Sequence, residues 1–309
     1  MKILLTGGTG SFSRSFVKRI LKDNPSRLVI FSRDEMKQEE MAREFNQPCM
    51  RYFVGDVRDQ SRLELAMHGI DTVIHTAALK IVPTAEYNPT ECIATNVGGA
   101  ENVVKASLRS GVRKVIALST DKCVNPVNLY GASKLAAEKI FMAANNLSGE
   151  DGCIFSSVRW GNVLGSRGSV VPLFKKLAAE GKPIPITDKR MSRFWITLEQ
   201  AAEFALFCLN NMKGREIFIP KIPSMKVTDL AEAIAPGIPT EIIGIRPGEK
   251  VHEVLLTEDE SRNAREIPNG YVIGDTQGNL PDGFRYSSDT NKEWLSVAQL
   301  REMISGQPA

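Results

Sequence analysis

What this sequence of 309 residues lacks narrows its possible roles at once. No stretch holds the roughly 18 uncharged apolar residues a membrane helix needs, so no membrane partner is expected. Met1 to Leu5 run straight into Thr6-Gly7-Gly8-Thr9-Gly10. That leaves no length for a signal peptide's apolar core and predicts a cytoplasmic protein. The five cysteines, Cys49, Cys92, Cys123, Cys153 and Cys208, are scattered and odd in number. They show none of the paired spacings of a zinc site, a redox motif or a disulfide framework, which points to a reducing compartment. Cys123 adjoins Lys122, a setting that lowers a thiol pKa, but it reads better as a small residue packed near a site. His68, His75 and His252 share no ligand spacing, so structural roles are expected and no metal. Charge of one sign is not in excess: the formal net charge of +3 gives no reason to expect nucleic acid and leaves small anionic substrates open. Phe174-Lys175-Lys176 reads as the solvated face of a helix. There is no internal repeat, low-complexity tract or long linker, and only Ser305 to Ala309 read as a loose tail.

What is present is an alternation. Lys2 to Thr6, Leu28 to Ser32, Met50 to Gly55, Thr72 to Ala77, Lys114 to Ser119 and Cys153 to Val158 are short apolar runs of buried-strand type. Helical patterns separate them, which predicts an α/β fold with a doubly wound parallel sheet. After about Asn162 prolines break the pattern, among them Pro172, Pro183, Pro185, Pro220, Pro223, Pro236, Pro239 and Pro247. Residues 1–162 are therefore expected to form a dinucleotide-binding core. Residues 163–309 are expected to form mainly a smaller substrate lobe, with segments returning to the core.

Thr6, Gly7, Gly8 and Gly10 close the first strand and open a helix at Ser11 and Phe12, where missing side chains let a pyrophosphate approach backbone N–H groups and the positive helix end. Ser13 stands where a third glycine is usual. The second strand ends Phe31-Ser32-Arg33-Asp34. Arginine there suits a ribose 2′-phosphate and favours NADP over NAD; the alternative is a solvated Arg33 with Asp34 on the ribose. Asp56 and Val57 follow the third strand toward the adenine. Ala77, Ala78, Leu79 and Lys80 follow the fourth, beside the phosphates.

Tyr130 and Lys134 lie four residues apart, on one face of a predicted helix. A neighbouring ammonium favours the phenolate and lowers the tyrosine pKa toward that of a working base. Thr120, just after the fifth strand, supplies a hydroxyl, and Asp121 and Lys122 add a second acid/base pair at the strand's carboxyl end. The alternative is an ion pair on a surface loop.

The arrangement Thr120, Tyr130, Lys134 resembles the triad of the extended short-chain dehydrogenases. Thr120-Asp121-Lys122, continued by Asn125-Pro126 and Asn128-Leu129-Tyr130, looks like the inverting UDP-N-acetylglucosamine 4,6-dehydratases of pseudaminic acid biosynthesis. Thr6 to Phe12, Gly55 to Asp59, Ala77 to Lys80, Ala85 to Pro89, Arg193 to Thr197, Pro220 to Met225 and Gly244 to Lys250 carry the same resemblance along nearly the whole chain. Ile81 departs from it, since histidine is usual there. The resemblance implies that Thr120 binds the sugar oxygen, Tyr130 takes the 4-hydroxyl proton and Lys134 holds the nicotinamide ribose. It further implies that Lys122, with a depressed pKa, removes the proton on carbon 5 and that Asp121 protonates the departing 6-hydroxyl. A regenerated cofactor stays bound. It also implies that Asn162 meets the diphosphate of UDP-N-acetylglucosamine, joined by Arg193 and Arg246, while Glu249 contacts the nucleoside ribose and Lys80, Glu86, Tyr87 and Asn88 border the sugar. Glu86 to Pro89 read equally as a plain helix-start loop. Trp160, Phe194 and Trp195 read as core or pocket wall. A homo-oligomer, dimer or hexamer, is expected from the same resemblance.

Other readings keep the fold and change the chemistry. A nucleotide-sugar 4-epimerase or reductase needs Thr120, Tyr130 and Lys134 but has no task for Lys122. A retaining 4,6-dehydratase differs only in outcome at carbon 5, and related capsule-sugar enzymes usually carry methionine in place of Tyr130. A non-catalytic NADP-sensing regulator is the reading from another class.

Overall fold

The computed structural model describes residues 1–150, 152–166, 168, 170–274 and 278–305. The tail expected from Ser305 lies, past that residue, outside the described residues.

Six strands fall where the apolar runs predict, with ends differing by a residue or two: β1 (Lys2–Thr6), β2 (Arg27–Ser32), β3 (Met50–Val54), β4 (Thr72–His75), β5 (Lys114–Leu118) and β6 (Ile154–Val158). The continuous apolar sequence of β2 and β4 follows from burial on both faces, since helices cover the sheet above and below. Strands then become shorter: β7 (Asn162–Val163), β8 (Ile184–Ile186), β9 (Ser192–Ile196), β10 (Ile217–Pro220), β11 (Ser224–Lys226), β12 (Thr240–Ile242), β13 (Val254–Leu256), β14 (Ala264–Ile267), β15 (Gly270–Ile273) and β16 (Tyr286–Ser287).

The main sheet has the order β14-β15-β10-β6-β5-β4-β1-β2-β3. From β3 to β10 its strands are parallel, whereas β15 runs antiparallel to β10 and to β14. The expectation of a parallel sheet therefore needs correcting at this edge. The turn at Pro268 and Asn269 makes a hairpin too short for a crossover helix, and so its strands must oppose. Strand order reverses between β1 and β4. The crevice at their carboxyl ends is where open α/β sheets bind ligands.

On the sheet's faces and around the smaller lobe lie α1 (Ser11–Ile20), α2 (Glu35–Phe45), α3 (Gln60–Met67), α4 (Val82–Tyr87), α5 (Pro89–Ile93), α6 (Gly99–Arg109), α7 (Leu129–Ala144), α8 (Val170–Ala179), α9 (Leu198–Asn211), α10 (Val227–Ile234), α11 (Glu258–Ser261) and α12 (Val297–Ser305). α1 packs against α9 on one face, burying Phe16, Val17, Ala205 and Leu209. α3, α6 and α7 pack on the other, around Leu63, Val103 and Phe141. Each fully buried side chain of this size contributes about 1.5–3 kcal/mol. The smaller lobe has its own core, including Phe174, Trp195, Leu230 and Leu300, beneath the sheet β11-β9-β7. It is interleaved with the main sheet, because α9, β10, β14 and β15 all come from the second half of the chain. Among the described residues no helix is long and apolar enough to cross a membrane.

Candidate active site

One cavity of about 870 Å³ runs from the β1 turn to the smaller lobe, at the upper end for ligand pockets. At one end Gly7 turns with φ +61°, and a Cβ on it would lie 2.9 Å from the backbone nitrogen of Ala77. Only glycine fits so close to the β4 loop. α1 starts at Gly10, which offers no side-chain cap, so the helix's N-terminal end meets the cavity at Ser11 and Phe12. Ser13 is fully buried, and its hydroxyl donates to the Gly7 carbonyl and lies 3.2 Å from the Thr76 hydroxyl. The serine therefore ties the turn to β4 where a glycine would merely fit.

Thr6 corrects an expectation. It is fully buried, and its hydroxyl is committed to His75 Nδ1 at 2.8 Å and to the N–H groups of Thr76 and Ala77. It braces the carboxyl ends of β1 and β4 and does not line the cavity.

Ser32, Arg33, Asp34, Asp56 and Val57 all line the cavity, as do Ala77, Ala78 and Lys80. Asp34 caps α2 by accepting from the Lys37 N–H at 3.0 Å and is also paired with the Lys37 ammonium. Arg33 is 56% exposed and 3.6 Å from Asp56. Burial disfavours charge on Asp56, but the Arg58 fork at 2.7 Å overcomes it and holds the carboxyl below its ordinary range. Lys37 is a cavity cation that motif reading missed, since it lies beyond the strand-end positions where fingerprints are sought.

At the centre the loop after β5 turns into the cavity. Asp121 is completely buried and its N–H is held by the Trp160 carbonyl at 3.0 Å. Its Oδ1 accepts from Thr120 Oγ1 at 2.9 Å and from Lys122 Nζ at 3.0 Å, while Oδ2 has no hydrogen-bond partner among the described residues. Lys122 lines the cavity and also donates to Asn162 Oδ1 at 3.3 Å. Lys122 thus faces the cavity, whereas Asp121 is buried outside its lining, so the expectation that both face it is corrected for Asp121; with Asp121 fully buried the two are not an exposed surface pair either. α7 brings Tyr130 alongside: Asn128 caps the helix by accepting from Gly131 N–H at 2.8 Å, and Tyr130 lines the cavity together with Thr120. Asn96, which composition and spacing do not flag, donates to Ser133 Oγ at 2.9 Å and clasps both backbone groups of Leu79, pinning the β4 loop to α7.

Two electrostatic expectations are corrected. Burial lowers the proton affinity of Lys122, but the charges of Asp121 and Glu253 outweigh it, so the amine is raised above its ordinary value rather than depressed. Burial pushes the Tyr130 phenol up to about 12, and the cation that opposes this is Lys122, not Lys134. Lys134 Nζ is turned to the Leu118 carbonyl at 2.6 Å, and burial lowers its pKa. Burial likewise raises the Cys123 thiol to about 12, consistent with a packed structural residue.

The substrate end is less close to expectation. Asn162 and Arg246 line the cavity, with Trp160 and Trp195 as its wall. Arg193 does not line it: its two terminal nitrogens donate to the carbonyls of Ser192, Val251 and Lys250 at 2.7–2.9 Å, so the fork is occupied. Glu249 lies beside Arg246 at 3.8 Å, outside the lining. Glu86 accepts from the Leu129 N–H at 2.7 Å and so fixes the start of α7, while Tyr87 is 87% exposed and Asn88 ends α4. These three do not border the cavity; Ile81, Val82 and Pro83 do.

Beneath the site Arg159, fully buried, pairs with Glu138 of α7 at 2.6 Å and Glu260 of α11 at 2.7 Å. It joins both halves of the chain.

A nucleotide-binding crevice at the sheet's switch point, with Thr120, Tyr130 and Lys134 on its far wall, defines an extended short-chain dehydrogenase/reductase. The chain belongs to the polysaccharide biosynthesis protein family, whose model matches residues 3–275. It is 54% identical to the UDP-N-acetylglucosamine 4,6-dehydratase (inverting) of Campylobacter jejuni, over 98% of this chain and 97% of that one. It is 40% identical to a UDP-glucose 4-epimerase of Rickettsia massiliae, over 88% and 82%. The X-ray structure of Pen from Bacillus thuringiensis superposes with a TM-score of 0.93 at 39% identity, covering 99% and 97%.

Proposed function

We propose that the chain is an inverting UDP-N-acetylglucosamine 4,6-dehydratase, supplying the first intermediate of pseudaminic acid synthesis. The observation that carries this reading is Lys122, which lines the cavity beside Tyr130 with its amine 3.0 Å from the fully buried carboxylate of Asp121. An epimerase of this fold has no use for that pair, although the Rickettsia relative keeps the epimerase as the runner-up.

The cradle at Gly7, Gly10 and the start of α1 fits a dinucleotide pyrophosphate, and Arg33 with Lys37 fits a 2′-phosphate, favouring NADP. When bound, a nicotinamide dinucleotide supplies reversible hydride acceptance, so the reaction is redox-neutral overall. Tyr130 takes the proton of the sugar 4-hydroxyl while Thr120 holds that oxygen. The carbon 5 proton, acidified by the resulting ketone, passes to Lys122 once that amine has given its own proton to Asp121, 3.0 Å away. Asp121 passes that proton to the 6-hydroxyl, which leaves as water as the bond between carbons 5 and 6 becomes double, and the hydride taken from carbon 4 returns to carbon 6. Return of a proton to the opposite face of carbon 5 inverts it. Lys134 holds the nicotinamide ribose, and Asn162 and Arg246 hold the diphosphate. A cytoplasmic homo-oligomer, dimer or hexamer, belongs to the same proposal.

The test is incubation with UDP-N-acetylglucosamine in deuterated water, read by mass spectrometry and NMR. Loss of one water with deuterium at an inverted carbon 5 is expected. An unchanged mass would replace the reading with the epimerase, and an uninverted carbon 5 with the retaining dehydratase.

A further inference from the structure

The Lys122 amine stands between two carboxylates, and only one belongs to its own loop. Glu253, at the end of the segment leading into β13, is 4% exposed, and its Oε1 lies 3.6 Å from Lys122 Nζ. Its backbone is clamped independently: the N–H donates to Ser288 Oγ at 2.9 Å, and the carbonyl accepts from the Ser288 N–H at 2.8 Å. The segment before it is anchored to the catalytic loop, because Lys250 Nζ donates to the Val124 carbonyl at 2.6 Å and Asn128 Nδ2 to the Gly248 carbonyl at 2.8 Å. Glu253 therefore comes to Lys122 from the second half of the chain, on a rigid mount.

We propose that Glu253 is a positioning residue for the dehydration, the second carboxylate that holds the Lys122 amine at the cavity and sets the pH at which it becomes a base. The role in dehydration rests on the function proposed above; the hold on Lys122 rests on geometry alone. The groups facing the amine are Asp121 at 3.0 Å, Asn162 at 3.3 Å and Glu253 at 3.6 Å, with Arg193 and Tyr130 near it. Glu253 itself also faces Lys250 at 3.6 Å and Arg193 at 3.9 Å. Its Oε2 is buried without a hydrogen-bond partner among the described residues, so the carboxylate is held there by charge more than by donors. A buried carboxylate left this way is unexplained by packing alone.

Removing the Glu253 charge while keeping its shape makes Lys122 release its proton more readily. In Glu253→Gln, lysine-labelled protein followed by NMR, with the Lys122 signal identified by its loss in Lys122→Met, is expected to show roughly tenfold weaker proton binding at Lys122. The rising limb of kcat against pH for UDP-N-acetylglucosamine is expected to move to lower pH by the same factor, with KM little changed. Glu253→Asp, which retains the charge, is expected to return both toward the parent. An unmoved Lys122 titration in a folded Glu253→Gln variant overturns the proposal. If the titration moves but the parent protein forms no dehydrated product, the hold of Glu253 on Lys122 stands and the proposed function fails.

Discussion

The α-carbon of Gly131 faces the carbonyl oxygen of Lys122 so closely that a Cβ built on it would lie 2.1 Å from that oxygen. α7 therefore lies directly on the catalytic loop, and one hydrogen atom is all the gap admits. Gly131→Ala must push Tyr130 away from Thr120. A loss of about 2–3 kcal/mol in stability, as for overpacking in a core, and at least a hundredfold in turnover is expected, read by thermal melting and product formation. Gly98→Ala, where nothing lies within 4 Å of the added carbon, is the control and should not destabilise the chain.

Asp121 and Lys122 are separable by substitution. Lys122→Met removes the carbon 5 base and should abolish deuterium incorporation. Asp121→Asn should slow loss of water by about 10²–10⁴-fold. Product mass and NMR on the purified variants check both, and a Lys122→Met variant that still exchanges carbon 5 would assign the base elsewhere.

Arg33 and Lys37 distinguish the two dinucleotides. Arg33→Ala with Lys37→Ala should weaken NADP binding by about 10–100-fold through loss of charge-assisted hydrogen bonds. Binding of NAD, which lacks the 2′-phosphate, should change little. Calorimetric titration of cofactor-free protein reads the difference, and equal losses for both dinucleotides would remove the phosphate assignment.

His75 makes the fold acid-sensitive. Burial holds its imidazole down to about 3, whereas an unfolded histidine titrates near 6.5. Below that ordinary value the unfolded chain binds a proton that the folded chain refuses. The stability from this residue is whole above about pH 6.5 and falls by up to ~1.4 kcal/mol per pH unit as pH drops toward 3. Urea unfolding across this window checks it: the slope should flatten in His75→Gln once the variant's lower overall stability is subtracted.

The strands of the main sheet were legible because double-sided burial writes uninterrupted apolar runs such as Leu28 to Phe31. The β14–β15 hairpin was not, since Ala264-Arg265-Glu266-Ile267 sets two exposed charged residues between its buried ends and carries no apolar run. In the site, Thr120, Lys122, Tyr130 and Lys134 line one cavity because they lie close in sequence, while Asp121 is buried outside that lining and Lys134 turns its amine to the Leu118 carbonyl. Arg193 and Glu86 went astray because chemistry suited to a ligand serves equally to hold backbone, and only coordinates show which donors are already occupied. Glu253 was missed for the opposite reason. It is 131 positions from Lys122 and acquires meaning only through the packing of one lobe on the other.

The placement of β10 beside β6 also governs how the molecule is made. Until Ile217 to Pro220 have been synthesised, β6 exposes a bare hydrogen-bonding edge in the middle of the largest sheet. A ribosome releasing the chain before that point delivers a sticky fragment that invites aggregation, however complete its nucleotide cradle. Severing the gene between the lobes would thus yield two insoluble pieces, not a cofactor module and a sugar module.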